Sequence, residues 1–372
     1  MHKWLTCIFL FLSSSVLAQY KITGRILDSA DKKPIPGATV FLASASVGTS
    51  TSADGNFSLD NVRGGQYELV VSMVGYNSYH KIILVNSNID LQAIVIAEKI
   101  NTLKEVSIRP DPDWERNYET FRGEFLGHSE FAKECKIVNP ETLNIHYDKV
   151  HFVLTANSFD FVVIDNKALG YRIKYKLDTF SKDYHEGMRY YAGTASFEKM
   201  KGKPSQERKW KKNRMKAYEG SSMQFLRLLI AGEVSAHGFK VLRLIRKPNP
   251  DYKGLGNRYI DALVTKPLIP ADYAKRTDQR DLFALAFNDC LYVMYNGGSP
   301  VPEDGKNASG IGWATTNIIF NKPYAVFDNN GIFTDPSSVT FEGEWGKSSV
   351  ADLLPVDFEP GETRKQQTDT GG

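Results

Sequence analysis

Six histidines lie beyond residue 18: His80, His128, His146, His151, His185 and His237. A zinc peptidase of the carboxypeptidase type needs a His and a Glu three residues apart on one turn, plus a distant third ligand. None of the six has Glu at that spacing, and His185-Glu186 leads to Arg189 where a His-Glu-x-x-His motif would need its second histidine. No Cys-x-x-Cys pair, Gly-x-Ser-x-Gly elbow, P-loop or dinucleotide glycine fingerprint occurs. The sequence therefore predicts no metal site, no cofactor and no zinc carboxypeptidase activity.

Other chemistry needs no linear motif. A glycosidase requires only two carboxylates at a suitable separation. Glu342 and Glu344 in FEGEW read as alternate residues of one strand sharing a face, although paired acids on a solvated strand also serve solubility. Ser196 and Lys199 satisfy Ser-x-x-Lys, a spacing that a lysine-rich chain also produces by chance. The most unusual local feature is basic: Lys199 to Lys216 holds nine Lys or Arg against the single acid Glu207. A solvated helix face accounts for such a run on its own. The functional alternative is contact with an anionic surface, lipid headgroups or a polyanionic glycan, through Lys209, Lys211, Lys212 and Arg214. Trp210 is either an interfacial residue or the anchor of the helix in the core.

Composition limits what could position these groups. The chain has 372 residues, 42% apolar and 24% charged, with 46 Lys+Arg against 43 Asp+Glu. That is a globular chain of about two domains with no strong global field, so a general nucleic-acid binder is not indicated. Residues 1–18, MHKWLTCIFLFLSSSVLA, order a basic start, a short apolar run and small residues before Gln19, which predicts an exported protein cleaved after Ala18. No later segment is apolar enough to predict a membrane span. Cys135 and Cys290 would then meet an oxidising compartment, either paired or as two separate buried thiols.

From Tyr20 to about Ile100 the text is strands and turns. Seven short strands are predicted, with Asp54-Gly55 as a hairpin turn and Gln66–Val74 alternating Tyr67, Leu69, Val71 and Met73 on one face. That spacing predicts a small β-sandwich. The runs GRILDSADKKPIPGATVFL and SADGNFSLDNVRGGQYELVVSMVGY resemble the carboxypeptidase-like regulatory domain, on Gly24, Pro36-Gly37-Ala38, Asp54-Gly55-Phe57, Gly65-Tyr67 and Gly75-Tyr76. The resemblance implies a transthyretin-like sandwich, found at the N-termini of many secreted and outer-membrane proteins of the Bacteroidetes, with no catalytic residues of its own. Asn101–Arg109 is similar to the Leu-x-Glu-Val stretch that leads into TonB-dependent transporters. The roughly 260 residues that follow lack the repeated strands of such a barrel.

Pro110-Asp111-Pro112 marks a boundary. Beyond it, Asp113 is expected to cap a helix carrying Trp114, Tyr118, Phe121 and Phe125, with a short helical continuation through Cys135. Strands follow, the clearest being Tyr171–Phe180, where Tyr171, Ile173, Tyr175 and Leu177 alternate with charged residues. Ser205–Ala231 reads as two helices joined at Gly220-Ser221, and five further strands run to Phe320, with an exposed loop at Lys247–Gly256. The runs FLGHSEFAKECKIVNPETL and VADLLPVDFEP resemble the region that accompanies this sandwich in secreted Bacteroidetes proteins of unknown function. The expected organisation is mainly β with α+β character: a leader (1–18), a seven-stranded sandwich (19–109), a largely antiparallel α+β domain (113–359) and a disordered tail (360–372). The expected role is that of an exported envelope protein, periplasmic or outer-membrane associated. It binds an envelope protein or glycan, with peripheral contact to an anionic membrane as a further partner and no nucleic acid. An envelope hydrolase using carboxylates of the second domain is the alternative.

Overall fold

The computed structural model describes residues 19–99, 112–254, 256–299 and 312–360. The expected leader, the segment Asn101–Arg109 and the tail beyond Pro360 lie outside the described residues.

The seven expected strands are present: β1 (Gln19–Asp28), β2 (Thr39–Leu42), β3 (Gly48–Ser50), β4 (Asn56–Arg63), β5 (Gly65–Ser72), β6 (Tyr79–Val85) and β7 (Ile89–Ile96). They form two sheets, β4-β1-β7 and β3-β2-β5-β6, packed face to face on Ile22, Val40, Leu59, Leu69 and Val71. The alternating pattern works because successive strand residues face opposite sides, so one face can be wholly apolar. β1 pairs antiparallel with β4 but parallel with β7. Gly55 in the hairpin turn has φ +75°, and a Cβ there would stand 2.6 Å from the Ile26 carbonyl oxygen. Both conformation and space demand glycine.

Residues 112–360 pack around two further apolar cores. Helix α1 (Trp114–Leu126) lays Phe121 and Phe125 against Phe180 and Tyr175 of a six-stranded antiparallel sheet, with ring centroids 4.9–6.2 Å apart. Asp113 does not cap this helix through its side chain. Its carboxylate binds Lys149 at 2.8 Å and Arg116 at 3.0 Å, because charged partners outcompete a backbone N–H for an exposed carboxylate. The expected helical continuation shortens to one 3-10 turn at Ala132–Glu134, and Cys135 instead opens a strand.

The six strands are β8 (Cys135–Ile137), β9 (Leu143–Asp148), β10 (Val153–Ser158), β11 (Val162–Asn166), β12 (Tyr171–Asp183) and β13 (Arg189–Lys199). The long β12 is their spine, pairing with β11, β10 and β13. Then come α2 (Pro204–Tyr218) and α3 (Ser222–Ala231), joined where expected: Ser221 Oγ accepts the Gln224 N–H at 3.2 Å, an N-cap.

The chain ends in β14 (Phe239–Pro248), β15 (Tyr259–Pro267), α4 (Pro270–Tyr273), β16 (Ala274–Arg276), β17 (Leu282–Leu285), β18 (Cys290–Tyr295), β19 (Ala314–Phe320), β20 (Ala325–Asp328), β21 (Val339–Gly343) and α5 (Glu344–Lys347). These make the sheets β15-β14-β18-β19-β21 and β16-β17-β20. Phe225 of α3 packs on Phe239 and Trp345 at 5.4 and 5.5 Å, holding the helix on the five-stranded sheet. The expected loop from Lys247 is shorter than the sequence indicated, because β14 continues through Pro248.

The sandwich is docked on this second unit. The Ser44 N–H donates to Ala195 O, the Phe197 N–H to Ala45 O, and the Val356 N–H back to Ser44 O. Val356 sits inside the sandwich core, and Asn330 Nδ2 donates to Gln66 O at 3.1 Å. Phe41, on the outer face of β2, is covered by Phe161 edge-on at 5.9 Å.

Candidate functional site

The docking leaves a cleft of about 740 Å³ between the two halves. One wall is the sandwich edge: Gly48 and Thr49 of β3, and Ser58 to Asn61 and Arg63 of β4. The other is Lys199 at the end of β13 with Asp357 and Glu359 of the C-terminal segment. Two features shape it. In β4, Asp60 and Asn61 stand opposite the single residue Lys21, a β-bulge with Asn61 at φ +59°. Bulges re-aim side chains at sheet edges, and Asn tolerates the left-handed conformation better than most residues. Second, the C-terminal segment is tied to the sandwich: Asp357 accepts from the Ser46 N–H at 2.7 Å and from its hydroxyl, and Arg63 pairs with Glu359. Lys199 also lines a smaller pocket with Tyr171, Lys211, Arg214 and Phe358.

The four basic candidates of α2 are divided among different environments. Lys209 binds both oxygens of Glu134 at 2.8 Å. Arg214 donates to Leu169 O at 2.7 Å and Gly170 O at 3.1 Å, with its guanidinium 4.0 Å above the Tyr171 ring. Lys211, three residues earlier on the same face, lines the small pocket, whereas Lys212 is exposed. Trp210 is the core anchor of the helix: it is buried and its Nε1 donates to Lys167 O at 2.8 Å. Thus Lys211 and Arg214 meet Lys199 beside the cleft, and Lys209 and Lys212 do not join them. The sequence missed Arg63, Asp357, Glu359 and the Asp60–Asn61 bulge. No local signal marks them: Arg63 meets Glu359 and Ser46 meets Asp357 across about 300 residues, and the bulge is set by pairing with β1.

The acids do not form the expected pair. Glu342 lies on β21, but Gly343 at φ +90° ends the strand and Glu344 opens α5, where it binds Lys347 at 2.9 Å. Glu342 instead meets Arg246, which also grips both oxygens of Asp261 at 2.8–2.9 Å and holds that carboxyl below its usual range. Two acids sharing one guanidinium form an ion-pair network rather than an acid and a base with opposed affinities. Burial raises Asp328 and Asp352, which belong to separate places: Asp328 accepts from the Asn330 and Ile332 N–H groups, and Asp352 from Ser349. Among the described residues, no group of three or more His, Cys, Asp or Glu side chains could hold a metal ion. Cys135 and Cys290 are separate buried thiols, and burial pushes Cys135 up to about 12.

Among known structures, the chain is similar over 21% of its length to a type II cohesin–X-dockerin complex from Acetivibrio cellulolyticus, at 16% identity and TM-score 0.20. It is similar over 22% to the pilus 2b backbone protein of group B streptococcus, at 18% identity and TM-score 0.19. These matches span only 58% and 42% of those chains. A candidate carbohydrate-binding protein from Bacteroides uniformis aligns over 83% of this chain and 98% of its own, at 8% identity and TM-score 0.18. Similarities this weak carry no argument about function. No curated protein matches the sequence. Residues 22–108 match the CarboxypepD_reg-like domain family, on the segment that folds as the seven-stranded sandwich. The chain therefore carries a carboxypeptidase-like regulatory domain ahead of a mixed, largely antiparallel second unit.

Proposed function

We propose that this is an exported binding or scaffolding protein of the cell envelope, periplasmic or outer-membrane associated, that holds its ligand without transforming it. The observation that carries the reading is the cleft of about 740 Å³ whose walls come from both halves. Backbone bonds at Ser44 and Ala45 and the Asp357 and Glu359 ties hold those walls in place before any ligand arrives. A preformed site spares a ligand the entropy of ordering it. The lining, with Thr49, Ser58, Asp60, Asn61 and Lys199, suits a polar envelope component, a glycan or a protein segment.

The test is capture of envelope components by the full chain, with mass spectrometric identification, against Thr49→Trp, which fills the cleft, and Lys199→Glu. Loss of the captured component in both variants, with unchanged circular dichroism, is the expected result. Undiminished capture by both, or turnover of the captured component by the wild type, would overturn the proposal.

A further inference from the structure

Sixteen large apolar side chains stand exposed among the described residues, and six of them gather at one end of the second unit. The β9–β10 turn contributes Val150 and Phe152, the β12–β13 hairpin Tyr184 and Met188 from its connection and Tyr190 from the start of β13, and the start of β15 Ile260. Direct contacts join the three. The Tyr184 N–H donates to Phe152 O at 3.1 Å, Phe152 meets the His185 ring edge-on at 5.0 Å, and Arg258, two residues before Ile260, pairs with Glu186. Phe152 takes this place at φ +56°, a conformation a bulky residue rarely adopts. A typical soluble protein scatters such residues singly, so a cluster requires an occupant.

From this arrangement we infer that the hairpin end is a membrane-docking surface whose occupant is the headgroup–acyl boundary of a lipid bilayer. The outermost residues are aliphatic: Val150 is 78% exposed, Met188 63% and Ile260 54%. Aliphatic side chains offer no flat face for a sugar ring but transfer readily into hydrocarbon. The tyrosines are less exposed, at 41–46%, which places an amphipathic ring behind the tip, as at membrane interfaces. Of the three acids of these turns, Asp148 and Asp183 point back into them and Glu186 is matched by Arg258. Asp148 accepts from the Val150 and His151 N–H groups and from the His151 ring, and Asp183 accepts from the His185 and Glu186 N–H groups. Carboxylates would otherwise oppose an anionic headgroup layer. Among the described residues no helix is long and apolar enough to cross a membrane, so this contact is peripheral.

The experiment is flotation of the full chain with phosphatidylcholine vesicles, with and without phosphatidylglycerol. Wild type should float with both and remain bound at about 0.5 M salt, because apolar contact is not screened as charge contact is. The double variant Val150→Asp, Met188→Asp, both at exposed positions, should lose roughly tenfold or more of the partition. Arg208→Glu with Lys212→Glu, on the exposed face of α2, should change it by less than about twofold. A solvatochromic dye on Val150→Cys should shift to the blue on vesicles. Failure of wild type to float, equal flotation of the aspartate variant, or loss confined to the α2 variant would each overturn the proposal. Cleft-ligand capture by the aspartate variant should remain intact, which separates this surface from the cleft.

Discussion

Removing the Arg227 guanidinium should uncouple the sandwich from the second unit. Arg227 extends from α3 and donates to three carbonyls: Asn330 O at 2.8 Å, Phe358 O at 2.9 Å and Val356 O at 2.7 Å. Those carbonyls belong to the two segments that hold the sandwich, the turn whose Asn330 reaches Gln66 and the stretch whose Val356 enters the sandwich core. A hydrogen bond to a charged group contributes roughly 1.5–3 kcal/mol net. Water re-solvates part of the vacated site, so Arg227→Met should cost about 3–5 kcal/mol rather than the full sum. In urea, at a slope of about 3 kcal/mol per molar, that is a midpoint shift of roughly 1 M or more. In the chain from Gln19 onward the tryptophans are Trp114, Trp210, Trp313 and Trp345, all outside the sandwich, so their fluorescence follows the second unit alone while circular dichroism follows both. The wild type should give coincident transitions and Arg227→Met separated ones. Arg227→Lys should behave nearly as badly, because an ammonium cannot span three divergent carbonyls as a planar fork does. Coincident transitions in the variant, with a shift under about 0.5 M, would refute the reasoning.

Three further outcomes are expected. Gly170→Ala should lose about 2–4 kcal/mol in thermal denaturation, since Gly170 has φ +69° and a Cβ would lie 2.2 Å from the Trp210 ring; an unchanged melting temperature would contradict the packing. Cys135 and Cys290, both raised by burial, should resist a thiol reagent at pH 8 in the folded chain and react once it is denatured; rapid native labelling would show that the cores open. Burial raises Asp328, so the folded state binds its proton at higher pH than the unfolded chain does, and the associated stability is present in acid and lost as pH rises through the folded value. The stability of the wild type relative to Asp328→Asn should therefore grow as pH falls from 7 toward 4, measured by urea midpoints; a flat difference would refute the assignment.

Local patterns were legible because short-range physics writes them. The seven sandwich strands, the alternation of β12 and the break at Gly220-Ser221 depend on neighbours a few residues away, and spacing alone shows all of them. Glu344 was misplaced for the same kind of reason. FEGEW alternates like a strand, but Gly343 adopts φ +90° and turns the chain into α5, an outcome composition does not reveal for a glycine.

The basic run between Lys199 and Lys216 marks the division between the two levels. By itself the sequence determined that the charge would be dense and that a helix would carry the part of the run from Arg208 to Lys216. Only the tertiary structure decided what each charge does: Lys209 is held by Glu134, Arg214 by the carbonyls of Leu169 and Gly170, and Lys199 and Lys211 turn toward pockets. The cleft itself required Arg63 to meet Glu359 and Ser46 to meet Asp357, pairs about 300 residues apart in the chain. Periodicity and turn chemistry act over a handful of residues and are recorded locally. Which surfaces meet is set by the complementarity of whole faces, and no stretch of sequence contains both sides of that contact.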